Sequence, residues 1–143
     1  MKAKKAGPSS DVVLVGGCFD ILHFGHIHFL REAKKLGDYL IVALESDANV
    51  RNLKGKLRPI HNQDQRKRIL ESLKFVDEVI VLNDTPTDKD YEKMVKRVRP
   101  KIIAITKGSS TKTHAGKVGA KVVEIPAVNV SSTSQIAKLL EIE

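Results

Sequence analysis

The sequence predicts a doubly wound α/β domain, a single sheet of about five parallel strands with helices on both faces. Three observations carry this. Short runs rich in Val, Ile and Leu recur along the chain, apolar enough to be buried on both faces as parallel strands are. Segments with helical spacing separate them, so strands and helices alternate. The chain has 143 residues, a length that fits one hydrophobic core.

Asp11–Val15 (DVVLV) is a β-branched run ended by the breaker Gly16-Gly17. His26–Leu36 follows as a helix, with Ile27, Leu30 and Ala33 on one face and Gly37 as its stop. Tyr39–Leu44 (YLIVAL) is continuously apolar, as a buried parallel strand is. Asn62 and Gln65 are spaced as a capping box, and the helix they open continues through Ile69, Leu70 and Leu73. Glu78–Leu82 is the third strand. Asp88–Val98 is a helix carrying Tyr91, Met94, Val95 and Val98 at helical spacing. Lys101–Ile105 and Lys121–Ile125 are the fourth and fifth strands, with a short helix at His114–Val118 between them and a last helix from about Ser132 to Leu140. Right-handed crossovers restrict such a chain to a Rossmann-like topology, whose ligands sit at the carboxyl ends of the strands. No repeat or linker divides it.

Hydrophobic residues make up 41% and charged residues 29%, ordinary values for a soluble globular protein. No apolar run approaches the roughly 20 residues needed to span a bilayer. Lys2, Lys4 and Lys5 are followed by no signal-peptide core, so residues 1–10 read as a flexible basic tail and 11–143 as the domain. Cys18 is the one cysteine, which excludes an intrachain disulfide and makes a reducing cytoplasm the expected location. The net charge of +8 points to anionic partners. Much of it is concentrated in Arg51, Lys54, Lys56, Arg58, Arg66, Lys67 and Arg68, opposed there only by Asp64. Few aromatics are interleaved, so stacking on a nucleic-acid strand has little support, and a solvated basic face is the plain alternative.

The chemistry concentrates after the first strand, in Gly16-Gly17-Cys18-Phe19-Asp20-Ile21-Leu22-His23-Phe24-Gly25-His26. The glycines allow a sharp turn and close backbone approach to a ligand. His23 and His26 are three apart at a helix opening, so they share a face. Gly25 between them leaves room for a phosphate chain. The free N–H groups and positive dipole end of the helix complete a site for a polyphosphate. There the imidazoles would donate hydrogen bonds and stabilise charge as pyrophosphate leaves. No further Cys or acidic cluster accompanies them, so a protein-built zinc site is not expected. His28 and His61 read as ordinary surface or packing histidines.

GCFDILHFGH resembles the GxFDxxHxGH signature of the cytidylyltransferase-like nucleotidyltransferases, and the resemblance covers nearly all of residues 11–140. The chain is similar to the adenylyltransferase domain of bifunctional heptose synthesis enzymes, to archaeal FAD synthase and to glycerol-3-phosphate cytidylyltransferase. The resemblance implies catalytic roles for His23, His26, Lys54 and Arg66. It implies nucleotide contacts from Gly16, Gly17, Cys18, Phe19, Asp20, Gly25 and Lys56, with Arg58 ranking beside Lys56. Lys54 and Arg66 match the lysine and arginine with which the family grips the phosphates. Val130-Ser131-Ser132-Thr133-Ser134 resembles the element that holds the triphosphate opposite the histidines, so Ser131, Ser132 and Thr133 join the nucleotide site; ordinary N-capping is the competing role. Two departures stand out. Thr106-Lys107-Gly108-Ser109 lies where relatives often carry an acid near the base, and Cys18 replaces a common threonine. No base partner for a thiolate is evident, so Cys18 reads as a packing or backbone-contact residue. Asp20 has two open roles, holding a metal or water network and bracing the turn.

The family mechanism is direct attack of the acceptor's phosphate on the α-phosphorus of ATP or CTP, with catalysis by alignment and charge neutralisation. Mg²⁺ or another divalent cation would be held mainly by the nucleotide phosphates. The segment LKGKLRPIHNQDQR and Asp84-Thr85-Pro86 look most like the heptose adenylyltransferase domain, which implies ATP and a sugar phosphate such as heptose 1-phosphate, a step of lipopolysaccharide core biosynthesis. FMN adenylyl transfer and glycerol 3-phosphate cytidylyl transfer are the alternatives, and a nucleotide- or RNA-binding protein of the same fold is the alternative outside catalysis. No membrane partner is expected, and a homodimer is implied only by resemblance.

Overall fold

In a computed structural model of the chain, residues 11–107, 118–128 and 138–139 are described. Val12 to Val15 are each 7% exposed or less, so this run needs neighbours on both edges and cover on both faces. β1 (Val12–Gly17) accordingly sits mid-sheet. β2 (Tyr39–Leu44), buried at every position, lies against one edge of it, and β4 (Ile102–Ile105) against the other. β3 (Glu78–Val81) and β5 (Lys121–Glu124) close the sheet in the order β3-β2-β1-β4-β5, every pairing parallel. This is the Rossmann-like arrangement, with its switch point between β1 and β4.

The helices are α1 (Phe24–Lys34), α2 (Asp47–Lys54), α3 (Gln63–Glu71) and α4 (Asp88–Val98). Alternation along β1 and β2 divides the core. Val13, Val15, Leu40, Val42 and Leu44 meet Leu30 and Ala33 of α1 and Leu70 of α3. Val12, Leu14, Ile41 and Ala43 meet Met94 and Val95 of α4. Each fully buried aliphatic side chain contributes about 1.5–3 kcal/mol relative to exposure, so truncating Leu30, which has no exposed surface, costs about 2–5 kcal/mol. Gly37 is a steric requirement: a Cβ there would lie 2.3 Å from the carbonyl oxygen of Asp11, which accepts from the amide of Asp38 as the chain enters β2.

The strands and α4 fall within a residue or two of their expected positions. Asn62 and Gln65 form the anticipated capping box, although α3 ends at Glu71, before Leu73. α1 opens two residues early because His23 caps it. α2 was not anticipated. Its only buried residue is Val50 and Leu53 is exposed, so it has no apolar stripe to reveal its period. Its ends are nonetheless written in the chain: Ser46 Oγ accepts from the amide of Asn49, and Gly55 terminates it at φ 110°. The basic tail at 1–10 lies outside the described residues, as do the expected helix at 114–118 except Val118 and the last helix except Lys138 and Leu139, which are helical.

Candidate active site

The carboxyl ends of the strands border a cleft of about 920 Å³. At its centre is the turn from β1 to α1. Gly17 must lack a side chain because a Cβ there would stand 2.9 Å from the ring of Phe19. Phe19 turns at φ 45° and buries that ring. Asp20, 2% exposed, accepts from Arg58 Nε at 2.7 Å, from the Ile60 amide at 2.8 Å and from the His61 amide at 3.0 Å. Burial alone would raise its pKa; the two amides and the Arg58 guanidinium outweigh it and hold the carboxyl below its ordinary value. With both oxygens engaged by residues 58–61, Asp20 braces that loop against the turn.

His23 and His26 are the two halves of a capping box. His23 Nδ1 accepts from the Gly25 amide at 3.0 Å, and His26 Nδ1 accepts from the His23 amide at 3.3 Å. The ring centroids are 3.9 Å apart. A nitrogen that accepts from an amide carries no proton, so each neutral ring carries its proton on Nε2, on the edge away from that amide. Burial lowers the pKa of His23; burial, with the charges of His23 and Lys54 adding to it, lowers that of His26 to about 4. Both rings are therefore neutral at pH 7, and each presents one N–H donor at the N-terminus of α1, where the helix dipole favours an anion.

The basic segment divides. Lys54, the last residue of α2, is exposed and borders the cleft, near enough to Cys18 and His26 for its charge to act on both. Lys56 is exposed but outside the described lining. Arg66, expected at the nucleotide phosphates, is instead fully buried. Its Nε donates to the His61 carbonyl at 2.9 Å, Nη1 to the carbonyls of Cys18 at 2.8 Å and Glu45 at 2.9 Å, and Nη2 to Asp47 at 2.7 Å. A planar fork with five donors suits this role: it ties the ends of β1 and β2 and the starts of α2 and α3 together behind the cleft. Arg58 borders the cleft, but its guanidinium is 1% exposed and paired with Asp20. Lys67 and Arg68 form i,i+4 pairs with Glu71 and Asp64, a solvated helix face.

Cys18 borders the cleft with its thiol pKa raised by burial, which makes it a poor nucleophile. His28 also borders the cleft. Ser131, Ser132 and Thr133 lie outside the described residues, as do Gly108 and Ser109. Thr106 and Lys107, expected near the base, do line the cleft beyond β4. Two groups of lining residues carry no sequence signal of that kind. One is Pro126–Val128 beyond β5, which no motif marks. The other is Glu45, Asn49 and Tyr91. Glu45 could have been noticed as a charged residue directly after a continuously apolar strand. Among the described residues, no group of three or more His, Cys, Asp and Glu side chains could hold a metal ion, and no helix is long and apolar enough to cross a membrane.

A family model described as cytidylyltransferase-like matches residues 14–138. The bifunctional protein HldE of Campylobacter concisus is 41% identical over 137 residues, which are 91% of this chain and 27% of that protein. The chain thus spans about a quarter of the length of such relatives. FAD synthase of Thermococcus sibiricus is 38% identical over 136 residues, 90% of this chain and 89% of the relative. The crystal structure of a lipopolysaccharide core biosynthesis protein from Thermoplasma volcanium superposes with a TM-score of 0.69 at 32% identity, covering 86% of this chain and all of that one.

Proposed function

We propose that this chain, which belongs to the cytidylyltransferase-like family and is a nucleotidyltransferase, transfers AMP from ATP to a sugar phosphate such as heptose 1-phosphate. An oxygen of the acceptor phosphate attacks the α-phosphorus, the bond from that phosphorus to the oxygen bridging to the β-phosphorus breaks, and pyrophosphate departs. The observation that carries the chemistry is the pair of neutral imidazoles capping α1, with their Nδ1 atoms committed to backbone amides. That leaves two fixed Nε2–H donors for the oxygens on which charge develops, and donors already in place need no reorganisation during the reaction. Lys54 adds a mobile positive charge. Gly16, Gly17 and Gly25 keep the backbone open to the phosphates, and Ser131, Ser132 and Thr133 are proposed to hold them from the other side. Thr106, Lys107 and Pro126–Val128 line the part of the cleft beyond β4, where the base would fit.

Among the described residues no group of three or more His, Cys, Asp and Glu side chains could hold a metal ion, and Asp20 is engaged by Arg58 and two amides, so Mg²⁺ is proposed to arrive with the triphosphate, bound by phosphate oxygens and water. It would screen the charge of the departing pyrophosphate. Similarity to HldE supports ATP and a heptose phosphate. Similarity to FAD synthase over nearly its whole length supports a second reading, adenylyl transfer to FMN.

Pyrophosphate release decides, measured with ATP or CTP against heptose 1-phosphate, glycerol 3-phosphate and FMN. ATP with heptose 1-phosphate is expected to be the best pair. FAD formation from FMN and ATP would establish the second reading. Preference for CTP with glycerol 3-phosphate would refute both, and silence with every pair would refute turnover.

A further inference from the structure

The cleft has two electrostatic ends. Around His23, His26 and Lys54 it offers donors and positive charge. Across the carboxyl end of β2 it is lined by Glu45, Asn49, Tyr91 and Asp88. A triphosphate laid against two carboxylates would be strongly repelled at short range, so the nucleotide's phosphates belong to the first end. The lining beyond β4 and β5 lies on the opposite side of β1 from β2. With the base placed there, the β2 side is left for the acceptor.

Glu45 is unusually well fixed for a side chain bordering a cleft. It is 8% exposed. Its amide donates to the Gly17 carbonyl at 3.0 Å, and its carbonyl accepts from the buried Arg66 at 2.9 Å. Its carboxylate accepts from Tyr91 Oη at 2.7 Å and from Asn49 Nδ2. A carboxylate offers about four lone-pair sites, so room remains for a ligand's donors. We infer that Glu45, oriented by Tyr91 and Asn49, is the specificity-determining group of the acceptor half of the cleft and selects a polyhydroxylated phosphate ester by accepting from its hydroxyls. The inference rests on the proposed nucleotidyl transfer and gives it a substrate class. The acceptor's phosphate turns towards the histidines and its hydroxyl-bearing carbons turn towards Glu45, so one molecule satisfies both ends of the cleft. Burial and the neighbouring Glu45 push the Tyr91 hydroxyl above its ordinary pKa, which keeps it a donor to the carboxylate.

Steady-state kinetics with ATP and acceptor varied separately test this, using the wild type, Glu45→Gln and Tyr91→Phe. Glu45→Gln is expected to raise the acceptor KM about 10- to 100-fold, the value of a hydrogen bond to a charged group, and to leave the KM for ATP unchanged. Tyr91→Phe should shift the acceptor KM in the same direction by less, and it carries the test if Glu45→Gln melts below assay temperature. An acceptor lacking the recognised hydroxyl should be penalised by the wild type and not by Glu45→Gln. Equal changes in both KM values, no change in either, or preferential turnover of phosphoethanolamine would overturn the inference while leaving nucleotidyl transfer intact. A wild type that releases no pyrophosphate with any acceptor would instead overturn the function on which it rests.

Discussion

Between Gly16 and His26 the two histidines commit one edge to the backbone and keep the other for a ligand, whereas between Leu53 and Arg66 two of the four Lys and Arg side chains are turned inward. The two histidines cap α1 through Nδ1 and retain Nε2–H. Arg58 and Arg66 are buried and bonded to protein partners, and of the four only Lys54 reaches the cleft uncovered. The residue type behind the difference is plain. An imidazole has two nitrogens on opposite edges, so it can brace and bind together. A guanidinium has five donors and no acceptor, which makes it equally good at gripping phosphates and at gathering backbone carbonyls. Positive charge in a sequence therefore does not reveal whether it is available.

The largest expected effect comes from breaking the inward half of this comparison. Arg66→Ala removes four hydrogen bonds and leaves the carbonyls of Cys18, Glu45 and His61 without that donor; each buried acceptor left unsatisfied costs about 1–3 kcal/mol. Urea unfolding should show that loss, and Arg66→Lys should recover little of it because one ammonium cannot span the same acceptors. An Arg66→Ala protein with wild-type stability and weakened triphosphate binding would return this residue to the phosphate site.

The outward half is tested by activity rather than stability. Alanine at position 23 or 26 would remove a helix cap together with a donor, mixing the two roles. His23→Asn and His26→Gln keep side-chain oxygens that can accept from the same amides and replace the imidazole Nε2–H with a carboxamide NH2 displaced from its position. Each should fold with a melting temperature close to wild type and lose about 10²–10³ in turnover. Near-normal pyrophosphate release by both would end the assignment.

The comparison also explains what the sequence could reveal. The succession of strands along the chain, α4 and the capping box of α3 were legible because apolar period and cap chemistry are local. The turn at Gly16–His26 was legible because its residues lie together in the chain. Arg66 was misplaced because its acceptors come from positions 18, 45, 47 and 61, and three of them are backbone carbonyls that no side-chain pattern marks. α2 was missed because a helix with one buried residue has no stripe, and with it the reason Lys54 lies at the cleft. Glu45 and Tyr91 are 46 positions apart, so their partnership exists only in the folded chain.

A smaller effect sharpens the contrast within the segment. Lys54→Ala should weaken ATP binding about tenfold, or roughly 1.4 kcal/mol, and AMP binding less, without changing stability. Isothermal calorimetry with both ligands checks this. Equal effects on the two would detach Lys54 from the terminal phosphates.

The smallest effect concerns protons and separates bracing from binding in a single ring. The pKa of His26 is lowered from 6.5 to about 4, first by burial. Between those values the unfolded chain takes up a proton that the folded chain refuses. The stability linked to His26 is therefore complete above about pH 6.5 and is lost as the pH falls towards 4. Asp20 acts in a different window, because its lowered pKa removes stability only as the pH falls below its ordinary value of 3.8. His26→Gln keeps an acceptor for the His23 amide and cannot titrate, so its stability should vary less than that of the wild type between pH 6.5 and 4. Ring resonances of His26 followed by NMR should shift with a midpoint near 4. A midpoint near 6.5, or an identical acid slope in the variant, would mean that burial does not hold the ring neutral. The Nε2–H donor would then lose the fixed neutral form on which the proposed chemistry depends.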